Sequence, residues 1–185
     1  MESINHRQAV YTKEAFDLNF LDTIVNKSKL SDSKWNDGSF SDYNNPNNSE
    51  KRLTWPIRDQ ESLQNKLKEI INDVNINNYQ LELGFVETAL YIEYDSKNNN
   101  KLDWHMDIGP YPYNQRKLSF SIFVNDPSEY EGGQLEIWTN NQYDKIPNTK
   151  GGIVVFPSFL LHRVTPVTKG IRKVIVGFIN GNPYR

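Results

Sequence analysis

From residue 79 onwards the apolar residues of this chain fall into short alternating runs broken by turn residues; before it they recur every three to four positions. A period of two lines one face of a strand, and a period near 3.6 lines one face of a helix. The change of period therefore asks for a helical first part and a strand-rich second part. Between Lys13 and Lys29, Phe16, Phe20, Leu21, Ile24 and Val25 share one side of a helix. A second helix is expected from about Asp59 to Asp73, with Leu63, Leu67, Ile70 and Ile71 inward, Asp59 as its cap and Ser62 behind it. Residues 31–58 are loop-like, with Trp35, Phe40 and Trp55 as isolated anchors.

After residue 78, YQLELGFVETALYIEY, RKLSFSIFVND, GGQLEIWTNN, GGIVVFPS, FLLHRVTPV and IRKVIVGFING read as strands. Asp126-Pro127, Gly132-Gly133, Gly151-Gly152 and Lys169-Gly170 are the turn signals between them. Two helices followed by about eight short strands give an α+β, mainly β chain built on an antiparallel sandwich or barrel. A length of 185 residues suits a single domain over 1–185. Residues 1–78 form a helical and loop support, and residues 79–185 form the strand core that carries the site.

Composition removes several chemistries. The chain has no cysteine, which excludes disulfides, thiolate zinc sites, iron–sulfur clusters and a thiol nucleophile. Any metal must be held by imidazole and carboxylate, and the histidines are His6, His105 and His162. A net charge of −2 without a basic stripe argues against nucleic acid as a partner. The opening MESINHRQAVYTKEAF has no apolar core of a secretory signal, and no apolar run is long enough to cross a membrane. A cytoplasmic location is the expectation.

Asp103-Trp104-His105-Met106-Asp107 contains a His-x-Asp pair. In extended chain, residues i and i+2 share a face, so His105 and Asp107 can converge on one ion. His162, on a predicted strand 55 residues beyond Asp107, is the natural third ligand. Two imidazoles and one carboxylate on one face of an octahedral ion leave three positions open, which suits Fe(II) and oxygen chemistry. His-x-Asp alone would arise by chance with odds of roughly one in five, so its surroundings must decide. Arg172 follows His162 by ten residues. Two strands joined by a turn at Lys169-Gly170 would bring it beside His162, where a guanidinium can grip a carboxylate by two hydrogen bonds. Such a site meets both needs of 2-oxoglutarate, a metal for its keto-acid end and a cation for its distal carboxylate.

The stretches YIEYDSKNNNKLDWHMD, KLSFSIFVNDPSEYEGGQLEIW and GGIVVFPSFLLHRVTPVTKGIRKVIVGFING carry a wider pattern. It runs through His-x-Asp, Asn-Asp-Pro, Tyr-x-Gly-Gly-x-Leu, Phe-Pro-Ser, His-Arg-Val-Thr-Pro-Val and an Arg ten residues after the second His. In this order the chain, from about residue 90 to its end, resembles the prolyl 4-hydroxylase branch of the 2-oxoglutarate/Fe(II) oxygenases, and within it the PKHD/PKHX-type bacterial hydroxylases. The resemblance implies a double-stranded β-helix, or jelly roll. It implies His105, Asp107 and His162 as iron ligands and Arg172 as the 2-oxoglutarate salt-bridge residue. Tyr94 matches a tyrosine that contacts 2-oxoglutarate in these enzymes, and Ser119 and Ser121 could line the same pocket. Phe178 stands where the relatives often have Trp. The implied activity is hydroxylation of a C–H bond, of a prolyl residue in a peptide or protein before other substrates, using dioxygen and releasing succinate and CO2, with ascorbate as a reductant.

Trp104, Tyr111 and Tyr113 are candidates for walls of the substrate mouth, and the loop 109–115 for its specificity. Other readings are a hydroxylase of a free amino acid or other small molecule, a non-catalytic jelly-roll binding module, and a zinc hydrolase on the same triad. The last lacks an evident general base and leaves Arg172 without a purpose.

Overall fold

The structure is a computed structural model that describes residues 8–30, 35–37 (backbone only), 52–139 and 141–183. His6 and the Phe40 anchor lie outside these residues, as does the side chain of Trp35. Two antiparallel sheets face each other. The larger contains β1 (Val10–Thr12), β2 (Trp35–Asp37), β3 (Arg52–Pro56), β4 (Leu90–Asp95), β6 (Arg116–Phe123), β7 (Tyr130–Gly132), β10 (Ile153–Pro157) and β12 (Val167–Asn180). Its order is β1-β10-β6-β12-β4-β3-β2, with β7 also paired to β12. The smaller is ordered β5-β11-β8-β9, from β5 (Leu102–His105), β8 (Leu135–Trp138), β9 (Tyr143–Lys145) and β11 (His162–Val164). This mainly β arrangement is the jelly-roll core expected.

The larger sheet is covered on both faces, so β6 is buried at all eight positions. Leu118, Phe120, Ile122, Ile153, Val155 and Ile175 pack outward against helices α1 (Leu18–Lys29) and α2 (Gln60–Val74). Val154, Phe156, Val174, Ile92, Tyr94 and Phe123 face the smaller sheet and meet Leu135, Ile137 and Val164. Each fully buried aliphatic or Phe side chain contributes about 1.5–3 kcal/mol of transfer free energy. The two periodic segments form helices near their expected bounds. Asp17 caps α1 by accepting from the Phe20 N–H, and Asp59 caps α2 by accepting from Ser62 N–H. No helix among the described residues is long and apolar enough to cross a membrane.

Three expectations are corrected. The loop-like region contains β3, whose Leu53 and Trp55 pair with Glu93 and Tyr91, so the large sheet draws strands from the N-terminal part. The alternating Leu81–Phe85 run is not a strand: Gly84 N–H donates to Asn180 O, Asn180 N–H donates to Phe85 O, and Phe85 is exposed. Its other backbone groups have no ladder, because the chain leaves α2 through a π-helical turn at Asn75–Tyr79 and only brushes the end of β12. Finally, Lys169-Gly170 is not a hairpin turn. β12 runs through it without a break, with Gly170 at φ +68° where a Cβ would lie 2.2 Å from Glu129 O. β11 and β12 belong to opposite sheets.

Asp59 also accepts from Lys27 Nζ of α1 at 2.6 Å. Lys27, together with Ser62, lowers the Asp59 carboxyl from 3.8 to about 2. A folded-state value below the unfolded one means that this stabilisation is present above 3.8 and is lost as pH falls towards about 2. Asp59→Asn keeps a capping side chain and removes the charge. It is expected to melt at a lower temperature than wild type at neutral pH, with the gap closing as acid protonates Asp59 in the parent. A gap independent of pH would refute the ion-pair contribution.

Candidate active site

The polar centre lies between the sheets. β5 and β11 are antiparallel neighbours, and His105 and His162 are direct partners in their register. Such a pair puts two Cβ atoms about 4.5–5.5 Å apart on one face, and the rings stand 4.1 Å apart by centroid. Strand β5 ends at His105, and Asp107 is fixed just beyond it by its own N–H, which donates to Ser158 O at 2.9 Å. The ligand atoms of His105, Asp107 and His162 all fall within 4.8 Å of one another, a group that could hold a metal ion. The expected triad is thus brought together.

The imidazoles are oriented for this. His105 Nδ1 lies 2.7 Å from Asp103 O and His162 Nδ1 lies 2.9 Å from Leu160 O. A carbonyl can only accept, so each Nδ1 carries a proton, and each Nε2 is the atom turned towards the other ligand atoms. The Nε2 atoms approach Asp107 Oδ1 at 3.5 Å and Oδ2 at 3.3 Å. Burial pushes the His162 imidazolium down, opposed by Asp107 and helped by neighbouring His105, which favours the neutral form that a metal ligand needs. Burial raises the Asp107 carboxyl, but His162, His105 and Ser119 outweigh it and bring it to about 2.

Ser119 is where the structure departs from the sequence reading. Its hydroxyl donates to Asp107 Oδ2 at 2.7 Å, and Ser158 Oγ lies 2.9 Å behind it. With the Ser119 proton on Asp107, Ser158 is the donor in the second bond. Ser119 therefore orients the carboxylate. Ser121 lies on the same face two residues on, in register with Val154 and Val176. Ser158 was legible only as part of Phe-Pro-Ser, which says nothing of where its hydroxyl points.

Arg172 reaches the centre from the opposite sheet, not from a strand beside His162. It is 1% exposed, and its Nε and Nη1 have no hydrogen-bond partner among the described residues. Tyr94 is its direct partner on β4, with the ring 5.1 Å from the guanidinium. Gly133 explains the double glycine: at φ +61°, a Cβ there would lie 2.7 Å from Arg172 Cδ. Two buried donors without acceptors are costly in an apolar interior, and they mark a place for an anionic ligand group.

The proposed mouth residues separate. Trp104 is corrected: it is the odd neighbour of His105 and points to the outer face of the smaller sheet. There it packs edge-on to Trp138 and Tyr143 at 6.3 and 6.2 Å, with the Arg163 guanidinium 4.7 Å from its ring. Tyr111 is 79% exposed on the loop after Asp107. Tyr113 lies 4.6 Å from the Arg116 guanidinium. That loop borders an open cleft of about 350 Å³ lined by Met106, Ile108, Gly109 and Asn114.

Arg116 escaped the sequence reading. It forms a two-pronged pair with Glu87 at 2.9 and 2.7 Å, donates to Asp107 O at 3.2 Å and stacks 3.6 Å from Phe178. Strict alternation would send Arg116 outward with Leu118. The register slips between Ile179 and Asn180, so that Asn180 faces Arg116 and Lys117 is passed over. This bulge turns Arg116 inward.

Comparison with known proteins agrees with this geometry. The profile of the 2OG-Fe(II) oxygenase superfamily matches residues 89–180. A PKHD-type hydroxylase of Prochlorococcus marinus (strain NATL2A) is 33% identical over 158 residues, covering 84% of this chain and 71% of the relative. A PKHD-type hydroxylase of Hyphomonas neptunium is 48% identical over 62 residues, 34% of this chain and 28% of its own. Among solved structures, a Pseudomonas putida prolyl-4-hydroxylase superposes with a TM-score of 0.71 at 15% identity, covering 94% of this chain and 92% of the other. A Trichoplax adhaerens prolyl hydroxylase, solved with a hypoxia inducible factor peptide fragment, gives 0.74 at 14%, covering 94% and 84%.

Ser119→Ala removes the proton that orients Asp107 while leaving the ligand in place. It is expected to weaken Fe(II) binding by ~10–100-fold, read by anaerobic titration with the circular dichroism spectrum unchanged. Unaltered affinity would show that the hydroxyl does not matter to the carboxylate.

Proposed function

This chain belongs to the 2OG-Fe(II) oxygenase superfamily, in its prolyl 4-hydroxylase-like branch, and we propose that it hydroxylates a prolyl residue of a peptide or protein substrate through the centre built on His105, Asp107 and His162. It is a hydroxylase that uses Fe(II) and 2-oxoglutarate. This replaces the binding-module reading. The observation that carries the residue assignment is the pairing of two imidazoles and one carboxylate with a buried arginine that has idle donors.

The residues fit both groups. The Nε2 atoms of His105 and His162 and the Asp107 carboxylate form the donor set that suits Fe(II) with open positions. Arg172 would bind the distal carboxylate of 2-oxoglutarate, and Tyr94 would contribute a hydroxyl beside it. With both bound, the site supplies oxidative decarboxylation of 2-oxoglutarate by dioxygen, to succinate and CO2, coupled to oxygen insertion into a substrate C–H bond.

The chain's own residues have simpler tasks. Ser158 and Ser119 hold the Asp107 carboxylate in one rotamer. Asp103 O and Leu160 O keep the protons on the Nδ1 atoms. Phe123, Phe156, Ile137 and Val174 exclude water from the inner space. Arg116 ties the loop after Asp107 to Glu87 and so holds one wall of the mouth. The peptide class is supported by structural neighbours that are prolyl hydroxylases, one of them solved with a peptide fragment.

Anaerobic protein given Fe(II) and 2-oxoglutarate should show the weak visible charge-transfer band of a chelated keto acid. Under air with ascorbate it should release succinate, faster with a proline-containing peptide than without. His162→Ala is expected to abolish both signals. Arg172→Gln should raise the dissociation constant for 2-oxoglutarate at least ~10-fold, the worth of one charge-assisted hydrogen bond of about 1.5–3 kcal/mol. Unchanged affinity in that variant would refute the role of Arg172. A free amino acid that outcompetes every peptide would overturn the substrate class.

A further inference from the structure

A second arginine lies beside Tyr94 on the inner face of the large sheet. Leu53 pairs with Glu93 across β3 and β4, which places Arg52 next in line opposite Tyr94; Tyr94 in turn pairs with Arg172 on β12. Arg52, Tyr94 and Arg172 thus form one row across three neighbouring strands. All three are buried, at 7%, 2% and 1% exposure. Arg52 Nη1 donates to Tyr94 Oη at 2.7 Å, and the two guanidinium carbons lie 5.3 and 5.1 Å from the centre of the Tyr94 ring.

This contact fixes how the phenol can be used. A tyrosine hydroxyl has one proton and accepts through its oxygen. An arginine has donors only, so the proton cannot point at Arg52 and must be given elsewhere. A guanidinium donating to the oxygen also polarises the O–H bond, which strengthens the bond that it donates. The neighbour along the row, Arg172, has two donors, Nε and Nη1, without an acceptor among the described residues. An anion seated on Arg172 would therefore meet a Tyr94 hydroxyl already turned into a donor.

We propose that Arg52 is a positioning residue for the cosubstrate: by donating to Tyr94 Oη it orients the tyrosine hydroxyl towards the 2-oxoglutarate carboxylate held by Arg172. The inference rests on the assignment of Arg172 and Tyr94 to 2-oxoglutarate made above. It makes β3, outside the span matched by the superfamily profile at 89–180, part of what sets cosubstrate affinity.

The test is anaerobic titration of 2-oxoglutarate into the Fe(II)-loaded protein, followed by the charge-transfer band, for wild type, Arg52→Gln, Arg52→Lys, Tyr94→Phe, Arg52→Gln/Tyr94→Phe and Arg172→Gln. Arg52→Gln should weaken 2-oxoglutarate roughly fivefold to tenfold with Fe(II) affinity unchanged. In turnover it should raise the KM for 2-oxoglutarate and leave kcat near wild type. Tyr94→Phe should lose a similar factor, and the double variant should be no weaker than Tyr94→Phe alone. Arg52→Lys, which retains a donor and a charge, should recover part of the loss; it also serves as the probe if Arg52→Gln does not fold. Equal losses from Arg52→Gln in the presence and absence of the Tyr94 hydroxyl would overturn the proposal, as would no loss at all. If Arg172→Gln binds 2-oxoglutarate as wild type does, the underlying assignment falls. If Arg172→Gln is weak and both Arg52 variants are normal, only the role of Arg52 falls.

Discussion

The backbone ladder between β5 and β11 is the constraint on which the centre depends. It makes His105 and His162 cross-strand partners, so their separation is set by sheet geometry and not by side-chain choice. The carbonyls of Asp103 and Leu160 then fix both tautomers. Asp107 lies past the end of the ladder and needs its own anchor, which Ser158 O provides from the turn after β10. The two sheets are therefore joined at Asp107, the carboxylate of the proposed metal centre. A shift of one sheet against the other would part the carboxylate from the imidazoles.

Around this centre the inner faces are apolar, and each polar group there has a specific reason. Ser119, Ser158 and Asp107 satisfy one another. Arg52 Nη1 gives the Tyr94 hydroxyl oxygen its donor. Arg172 keeps two donors, Nε and Nη1, that face the interior without an acceptor among the described residues. Leaving such groups bare costs about 1–3 kcal/mol each. A fold retains that cost where a ligand removes it, and binding of a carboxylate then stabilises the folded state by mass action. The glycine at 133 serves the same end, because it lets the methylene chain of Arg172 pass where a Cβ would block it.

The outer face of the large sheet carries the opposite chemistry. α1 and α2 cover it with Leu21, Ile24, Leu63, Leu67 and Ile71, and the burial of Glu93 is offset by Lys29 and the Tyr91 hydroxyl. This side has no part in the chemistry; it holds β4, β6 and β12 in place. The division lets one face of each strand be chosen for packing and the other for the site. In β6, Leu118, Phe120 and Ile122 serve the helices while Ser119 serves the metal ligand.

Periodicity in the chain alone marked out the helices and the mainly β class, because each follows from which face a residue occupies within its own element; His105, Asp107, His162 and Arg172 were picked out by residue type, spacing and the order of the motifs, which do not depend on how the strands are arranged. The alternation that put His105 inward also put Trp104 outward, though that consequence was not drawn from the sequence. Only the tertiary structure decided which element faces which. It set β11 and β12 in opposite sheets, so that Arg172 faces the site from the opposite sheet and not along a hairpin. It gave Ser119 to Asp107, turned Arg116 inward through a bulge at Lys117, left Leu81–Phe85 without a ladder, and lined Arg52 up with Tyr94. Those outcomes depend on hydrogen bonds between segments tens of residues apart, and a local repeat of side chains holds no record of its partner's register.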